Sequence, residues 1–265
     1  MKKLSKLYMV LILLFLYVPI FVLIVFSFNE SKSRSVFSGF TLDWYKRLFN
    51  NRIIISSLIN TIIIAFAASI ISTILGTLAA IGINSMRKVP KAMVMNVTNM
   101  PIINPEIVTG VSLMLLFVFF AARMKIEFGF VTLLIAHITF DVPYVILNIM
   151  PKFRQMDPHL FEAAQDLGCS PFQSFKKIIL PEIMPGIISG FLMAFTYSLD
   201  DFVISYFTSG PGFQTLPIAI FSMTKKRVKP DMYALSALIF VSILVLLIIY
   251  NIAQQKSEDK TKKKS

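Results

Sequence analysis

Four carboxylates interrupt long apolar stretches of this chain: Glu106, Asp141, Asp200 and Asp201. None has a Lys or Arg within one helical turn to neutralise it. A carboxylate at the centre of a spanning helix costs about 2.5–3.5 kcal/mol, so such groups face water, a partner or a cargo. Asp200 and Asp201 are neighbours, about 100° apart around a helix, and cannot point the same way. One is expected to line a cavity while the other meets a polar neighbour or the outer mouth of its span. Each acid also sits near proline: Pro101 and Pro105 precede Glu106, Pro143 follows Asp141, and Pro185 precedes the aspartate pair. Broken helices at membrane depth are tolerated where they line protein or a water-filled path. Tyr144, Tyr197, Phe202 and Tyr206 lie close by in sequence. Carboxylates beside aromatic faces suit an organic cation, through charge pairing and cation–π contact. The competing reading makes the acids structural, hydrogen-bonded to Ser, Thr or Asn of other helices; for Asp141 the two readings stand level. His137 reads as a hydrogen-bonded helix residue rather than a ligand.

The elements that hold these acids are membrane spans. Of 265 residues 56% are apolar and 15% charged, and mean hydropathy is +0.74, which excludes a soluble domain of this size. Crossing roughly 30 Å of hydrocarbon takes about 20 apolar residues. Six spans are predicted, at about 8–28, 56–83, 97–122, 128–150, 183–207 and 233–253. The charge-free run 53–86 exceeds one crossing, so that helix is expected to tilt or to project into water. The first span follows Lys2, Lys3 and Lys6, and no small-x-small cleavage pattern follows it. It reads as a retained anchor. Six spans put both termini on one face, which would hold fifteen Lys and Arg against eleven opposite, the positive-inside sense. The formal charge of +12 needs no nucleic acid, because basic loops against anionic membrane lipid account for it. The one cysteine, Cys169, excludes a disulfide framework.

Between the fourth and fifth spans lies a charged, helix-breaking insert, residues 161–181. Asp157-Pro158 opens it with a cap and a proline at the first helical position. Gly168 suits a left-handed C-terminal cap, and Ser170-Pro171 starts a second short helix running toward Pro181. Leu160, Phe161, Ala164 and Leu167 offer an apolar stripe. Upstream, Leu42, Tyr45, Leu48 and Phe49 share a face of a short interfacial helix, with Trp44 and Tyr45 at headgroup level. The segment 208–231, rich in Gly and Pro and then basic, reads as an extracytoplasmic loop, and the polar, lysine-rich stretch after Gln255 as a disordered tail.

The pattern Glu162-Ala163-Ala164, Gly168, Ile178, Leu180-Pro181 resembles the EAA loop of ABC importer permeases. The resemblance implies an all-α, polytopic integral membrane protein with six transmembrane helices of the ABC transmembrane type-1 (MetI-like) kind. It implies a cytoplasmic coupling-helix loop at 152–182 that docks on a separate ATPase, with Glu162 meeting basic groups and Gly168 setting the elbow. The stretches Ser198-Leu199-Asp200-Asp201-Phe202, Thr208-Ser209-Gly210-Pro211-Gly212, Asn104-Pro105-Glu106 and Ala136-His137-Ile138-Thr139-Phe140 are similar to the spermidine/putrescine permease family. That similarity covers about 8–253, including Trp44-Tyr45 and Asn60-Thr61. It implies a multi-pass inner-membrane permease for polyamines, with Glu106, Asp200, Asp201, Tyr197 and Phe202 on the path, and Asp141 less securely because the family tolerates uncharged residues there.

The organisation so implied is an N-terminal anchor and interfacial segment at 1–55, a permease domain at 56–253 and a cytoplasmic basic tail at 254–265. The implied partners are an ABC ATPase dimer, a second permease subunit, an extracytoplasmic polyamine-binding protein and membrane lipid. No G-x-x-x-x-G-K-[ST] sequence occurs, so this chain does not bind ATP through a P-loop; the resemblance implies that ATP and Mg sit on the ATPase partner and that this chain needs no cofactor. No nucleophile–base pattern or Cys/His metal pattern suggests an enzyme. The alternatives are a permease for another solute (an amino acid, iron or an inorganic anion) and a proton-coupled secondary transporter. An anion carrier would want basic groups at the midplane, and a transporter working alone leaves the EAA loop unexplained.

Overall fold

The structure, a computed structural model, describes residues 2–31, 36–124, 127–157, 159–225, 231–241 and 244. Pro158, Lys125, the basic run from Lys226 to Lys229, most of 242–253 and the tail 254–265 lie outside the described residues. Among the described residues the named elements are helices: α1 Lys2–Ser27, α2 Asp43–Asn50, α3 Arg52–Asn84, α4 Lys88–Ile103, α5 Glu106–Met124, α6 Phe130–Gln155, α7 Leu160–Asp166, α8 Pro171–Ser174, α9 Leu180–Asp200, α10 Val203–Thr208 and α11 Leu216–Lys225. A π-helical turn, Phe175–Ile179, joins α8 to α9. A further apolar helix, α12, covers Asp231–Val241.

Among the described residues five helices are long and apolar enough to cross a membrane: Lys6–Ser27, Arg52–Asn84, Glu106–Arg123, Phe130–Gln155 and Pro171–Asp200. They answer to the first five expected spans, and the sixth falls largely outside the described residues. Two boundaries differ from expectation. The third span begins at Glu106 rather than 97, because Pro105 disfavours helical geometry at Asn104, whose ψ is 136°. The fifth ends at Asp200 rather than 207, because Asp201 turns extended (ψ 119°) and starts a separate helix. The second insert helix also passes through Pro181 instead of stopping there. Leu180 N–H bonds back to Phe175 O across the wide π turn, a register that suits a residue with no N–H to give.

Two compact units are distinguished, Ser56–Ala219 and, as the other, Met1–Ile55 with Ile220–Ser265. Within the latter, α1 is exposed along its apolar length, as a lipid-facing helix must be. Trp44 is not at the surface as expected. It is buried with Leu48, its Nε1 donating to Asn29 O at 2.7 Å, while Leu42 and Phe49 stay exposed. Tyr45 Oη lies 2.6 Å from Ser27 Oγ, so α2 is tied back to the end of α1.

The core of Ser56–Ala219 is the α6–α9 seam. Gly186, Gly190, Ala194 and Ser198 recur every fourth residue and are all buried. In lipid, close approach of helices is driven by packing and permitted by small side chains. A Cβ at Gly186 would stand 2.9 Å from Asn148 O and 3.1 Å from Ile149 Cα. Gly190 sits likewise against Val145, whose side chain on its other flank fills the space beside Gly76 of α3. Gly186→Leu is therefore expected to destabilise the protein by about 3 kcal/mol, the upper range for overpacking. Thermal unfolding of the purified protein measures this; an unshifted midpoint would mean the helices pack less closely.

Candidate functional site

Two pairs of helices converge on the acids. Packing of α5 against α10 is close at Gly110, where a Cβ would lie 3.0 Å from the Phe207 ring. Asn60 Nδ2 donates to Gln214 O at 3.0 Å, and Thr61 Oγ1 accepts the Leu216 N–H at 2.7 Å. Thr132 Oγ1 donates to Thr208 O at 2.8 Å. These bonds pin the C-terminal end of α10 and the segment after it to the first turns of α6 and the outer part of α3.

At the α9–α10 break the two aspartates part. Asp200, the last residue of α9, is exposed, whereas Asp201 is buried at 9% exposure. Asp201 Oδ1 accepts the Ile204 N–H at 3.1 Å, and Oδ2 accepts the Ser205 N–H at 2.6 Å. Its carboxylate thus caps the start of α10 with both oxygens. His137 of α6 lies beside it, buried at 2% exposure, with Nε2 3.4 Å from Asp201 Oδ2. The same Nε2 is 3.0 Å from Ser205 Oγ, and Nδ1 bonds to Ser198 Oγ. His137 is a hydrogen-bonded helix residue, as the sequence suggested, and of the two aspartates Asp201 is the one that meets polar neighbours.

Glu106, at the first turn of α5, is exposed. It lies within electrostatic reach of the Tyr144 phenol, and the Tyr144 and Tyr197 rings stand 4.4 Å apart. Phe140 backs both rings at 5.2 and 6.2 Å. Tyr197 is 37% exposed. Phe202 and Tyr206 pack with tilted rings 5.5 Å apart beyond the break, with Tyr206 exposed. Glu106 and Asp200 are both exposed, and exposed carboxylates beside aromatic rings favour a cation with alkyl segments.

Asp141, expected with these residues, lies within electrostatic reach of Asp201 and of the Tyr144 phenol but does not come to the surface. It is fully buried, and neither carboxylate oxygen has a hydrogen-bond partner among the described residues. A separate groove of about 620 Å³ between α3, α4 and α6 is lined by Leu75, Val94, Val97, Pro101, Val142 and Ile146 among others. It has no charged lining and no cation chemistry.

The expected coupling loop is an elbow. In α7, Glu162 and Ala163 are exposed and Ala164 is buried. Glu162 Oε2 is 3.6 Å from His159 Nδ1, both side chains being largely exposed. The helix begins at Leu160, slightly later than Asp157-Pro158 suggested, with Asp157 Oδ1 accepting the His159 N–H. Gly168 takes φ +85°, with Gly168 N–H to Gln165 O and Cys169 N–H to Ala164 O. That paired closure is the Schellman C-cap, and its left-handed residue favours glycine. Ser170 and Gln173 then form a reciprocal capping box. Leu180 and Pro181 carry the chain into α9. The anticipated apolar stripe is split, since Ala164 is buried while Leu167 stands 87% exposed beside exposed Phe172.

The Gly186–Ser198 stripe, Ser198 and Ser205 around His137, and the Thr61 and Thr132 clamps were not singled out from sequence for these parts. The stripe's four-residue spacing of small residues was the available signal.

Residues 72–263 match the family described as Binding-protein-dependent transport system inner membrane component. The chain is similar to the spermidine/putrescine transport system permease protein PotC of Haemophilus influenzae. The two are 38% identical over 250 residues, covering 94% of this chain and 96% of that protein. It is 39% identical to the putrescine transport system permease protein PotI of Escherichia coli over 233 residues, covering 86% and 83%. A PotC homolog of Mycoplasma genitalium is 32% identical over 256 residues, covering 91% and 88%.

Proposed function

Because the chain belongs to the family of binding-protein-dependent transport system inner membrane components, we propose that it is the permease subunit of an ABC importer for polyamines. The observation that carries the cargo assignment is the exposed face with Glu106, Asp200 and the ring pair Tyr144–Tyr197. Spermidine and putrescine are flexible chains of methylene groups between ammonium ions. Carboxylates pair with the ammonium groups, and aromatic faces take both the ammonium and the methylenes between them. Phe202 extends that face across the break, while Asp201 and Asp141 form a second, buried rank of acids behind it. The names of the curated relatives support the same cargo class.

In this reading the chain performs no hydrolysis. The loop at 152–182 stands in the cytoplasm with both termini and docks Glu162, Ala163, Ala164 and Gly168 on an ATPase dimer that holds ATP and Mg. A sixth span completes the permease domain at 56–253, with 1–55 as anchor and interfacial segment and 254–265 as a basic tail. A second permease subunit closes the path from the other side, and an extracytoplasmic polyamine-binding protein delivers cargo.

Competition of labelled spermidine uptake tests the cargo class in cells carrying all components. Unlabelled putrescine and spermidine are expected to compete, and amino acids, ferric iron and phosphate are not. Competition by one of the latter group alone would replace the cargo assignment.

A further inference from the structure

We propose that His137 is a positioning residue that locks the α9–α10 break and so fixes which aspartate faces the cargo. Its ring joins three elements: it projects from α6, meets Ser198 near the end of α9, and meets Asp201 and Ser205 at the start of α10. Among the described residues, its contacts at both ring nitrogens lie on the two sides of the break. Asp201, the residue that breaks the helix, uses both carboxylate oxygens on α10 N–H groups. The His137 ring therefore braces a carboxylate that is already engaged as a cap.

The consequence for the neighbouring residue is geometric. Adjacent residues at a helix end diverge, so anchoring Asp201 inward forces Asp200 outward onto the exposed face. Releasing Asp201 would let α10 turn about its clamp at Thr132–Thr208 and free the backbone of the break that orients Asp200. Asparagine at 201 does not reproduce the cap, because its single acceptor oxygen cannot replace two and its NH₂ would oppose a backbone N–H. The other carboxylate facing this region is Asp141, one turn from His137 on α6, which makes no hydrogen bond among the described residues.

This inference rests on the polyamine-permease reading and is tested in the complete importer, reconstituted with its ATPase, second permease and binding protein. His137→Ala and Asp201→Asn are each expected to lower uptake about tenfold, the size of a lost charge-assisted bond. The double variant is expected to be no worse than the poorer single, since both changes release the same lock. The fold-loss is expected to be equal for spermidine and putrescine, with ATP hydrolysis stimulated by loaded binding protein kept within about twofold of the unaltered complex, as positioning rather than assembly is what fails. Ser205→Ala removes one hydroxyl from the His137 ring and leaves the backbone cap. It is expected to lose about threefold and keeps the test open if His137→Ala fails to assemble.

Multiplying losses in the double variant, unchanged uptake in all three, or loss of hydrolysis together with uptake would each overturn the positioning role. Asp200→Asn in the same preparation separates the two claims. If it leaves uptake of both amines unchanged, the cargo-face reading fails whatever the cycle shows.

Discussion

Replacing Asp200 with asparagine lowers polyamine uptake about tenfold or more while the complex assembles normally, because one charge-assisted contact to cargo is lost and the shape is kept. Asp200 is exposed at the end of α9, and no hydrogen bond or ion pair of its carboxylate is recorded among the described residues. Removing its charge therefore leaves no buried partner stranded. The loss is expected to be larger for spermidine, with three amines, than for putrescine, with two. Asparagine at position 141 gives the contrast. Asp141 is fully buried, so its neutral isostere is expected to leave uptake within about twofold, a change that removes no cargo contact. Uptake assays on the two variants side by side check both. Equal losses at 200 and 141 would show that burial does not divide the acids as described.

Lysine in place of Glu162 produces the second large effect, on assembly rather than on cargo. Glu162 and Ala163 stand exposed on α7, and the left-handed Gly168 turns the following capping box away to form a compact knob. Exposed Leu167 and Phe172 flank it. If the knob enters a cleft with basic groups, reversing the charge sets like charges together and is expected to weaken ATPase association about a hundredfold. Co-purification yield and permease-dependent hydrolysis read the effect. Normal yield with normal stimulation would move the docking contact away from Glu162.

The sequence announced those parts whose physics is local. Runs of apolar residues of bilayer length marked the first five spans, and proline with its preceding residue marked the break before Glu106. The pair of insert helices followed from Gly168 and Ser170-Pro171, because caps depend on residues within a turn. Helical periodicity led to the expectation that Asp200 and Asp201 diverge, but they do so at a helix break, with Asp201 extended at ψ 119°, rather than around one continuous helix. Which of them turns inward did not follow from periodicity, since that is decided by His137, sixty-four residues earlier in the chain than Asp201. The burial of Asp141 was hidden for the same reason: it depends on packing between elements distant in the chain and not on neighbouring residues. Trp44 misled because an aromatic beside basic residues fits a headgroup position as well as a pocket, and only the bond to Asn29 O distinguishes them.

The most direct measurement is accumulation of labelled spermidine in proteoliposomes that hold this chain with its second permease and ATPase. The account predicts accumulation only when ATP, Mg and cargo-loaded binding protein are all supplied, and none from a proton gradient alone. Gradient-driven accumulation by this chain without the ATPase would contradict it.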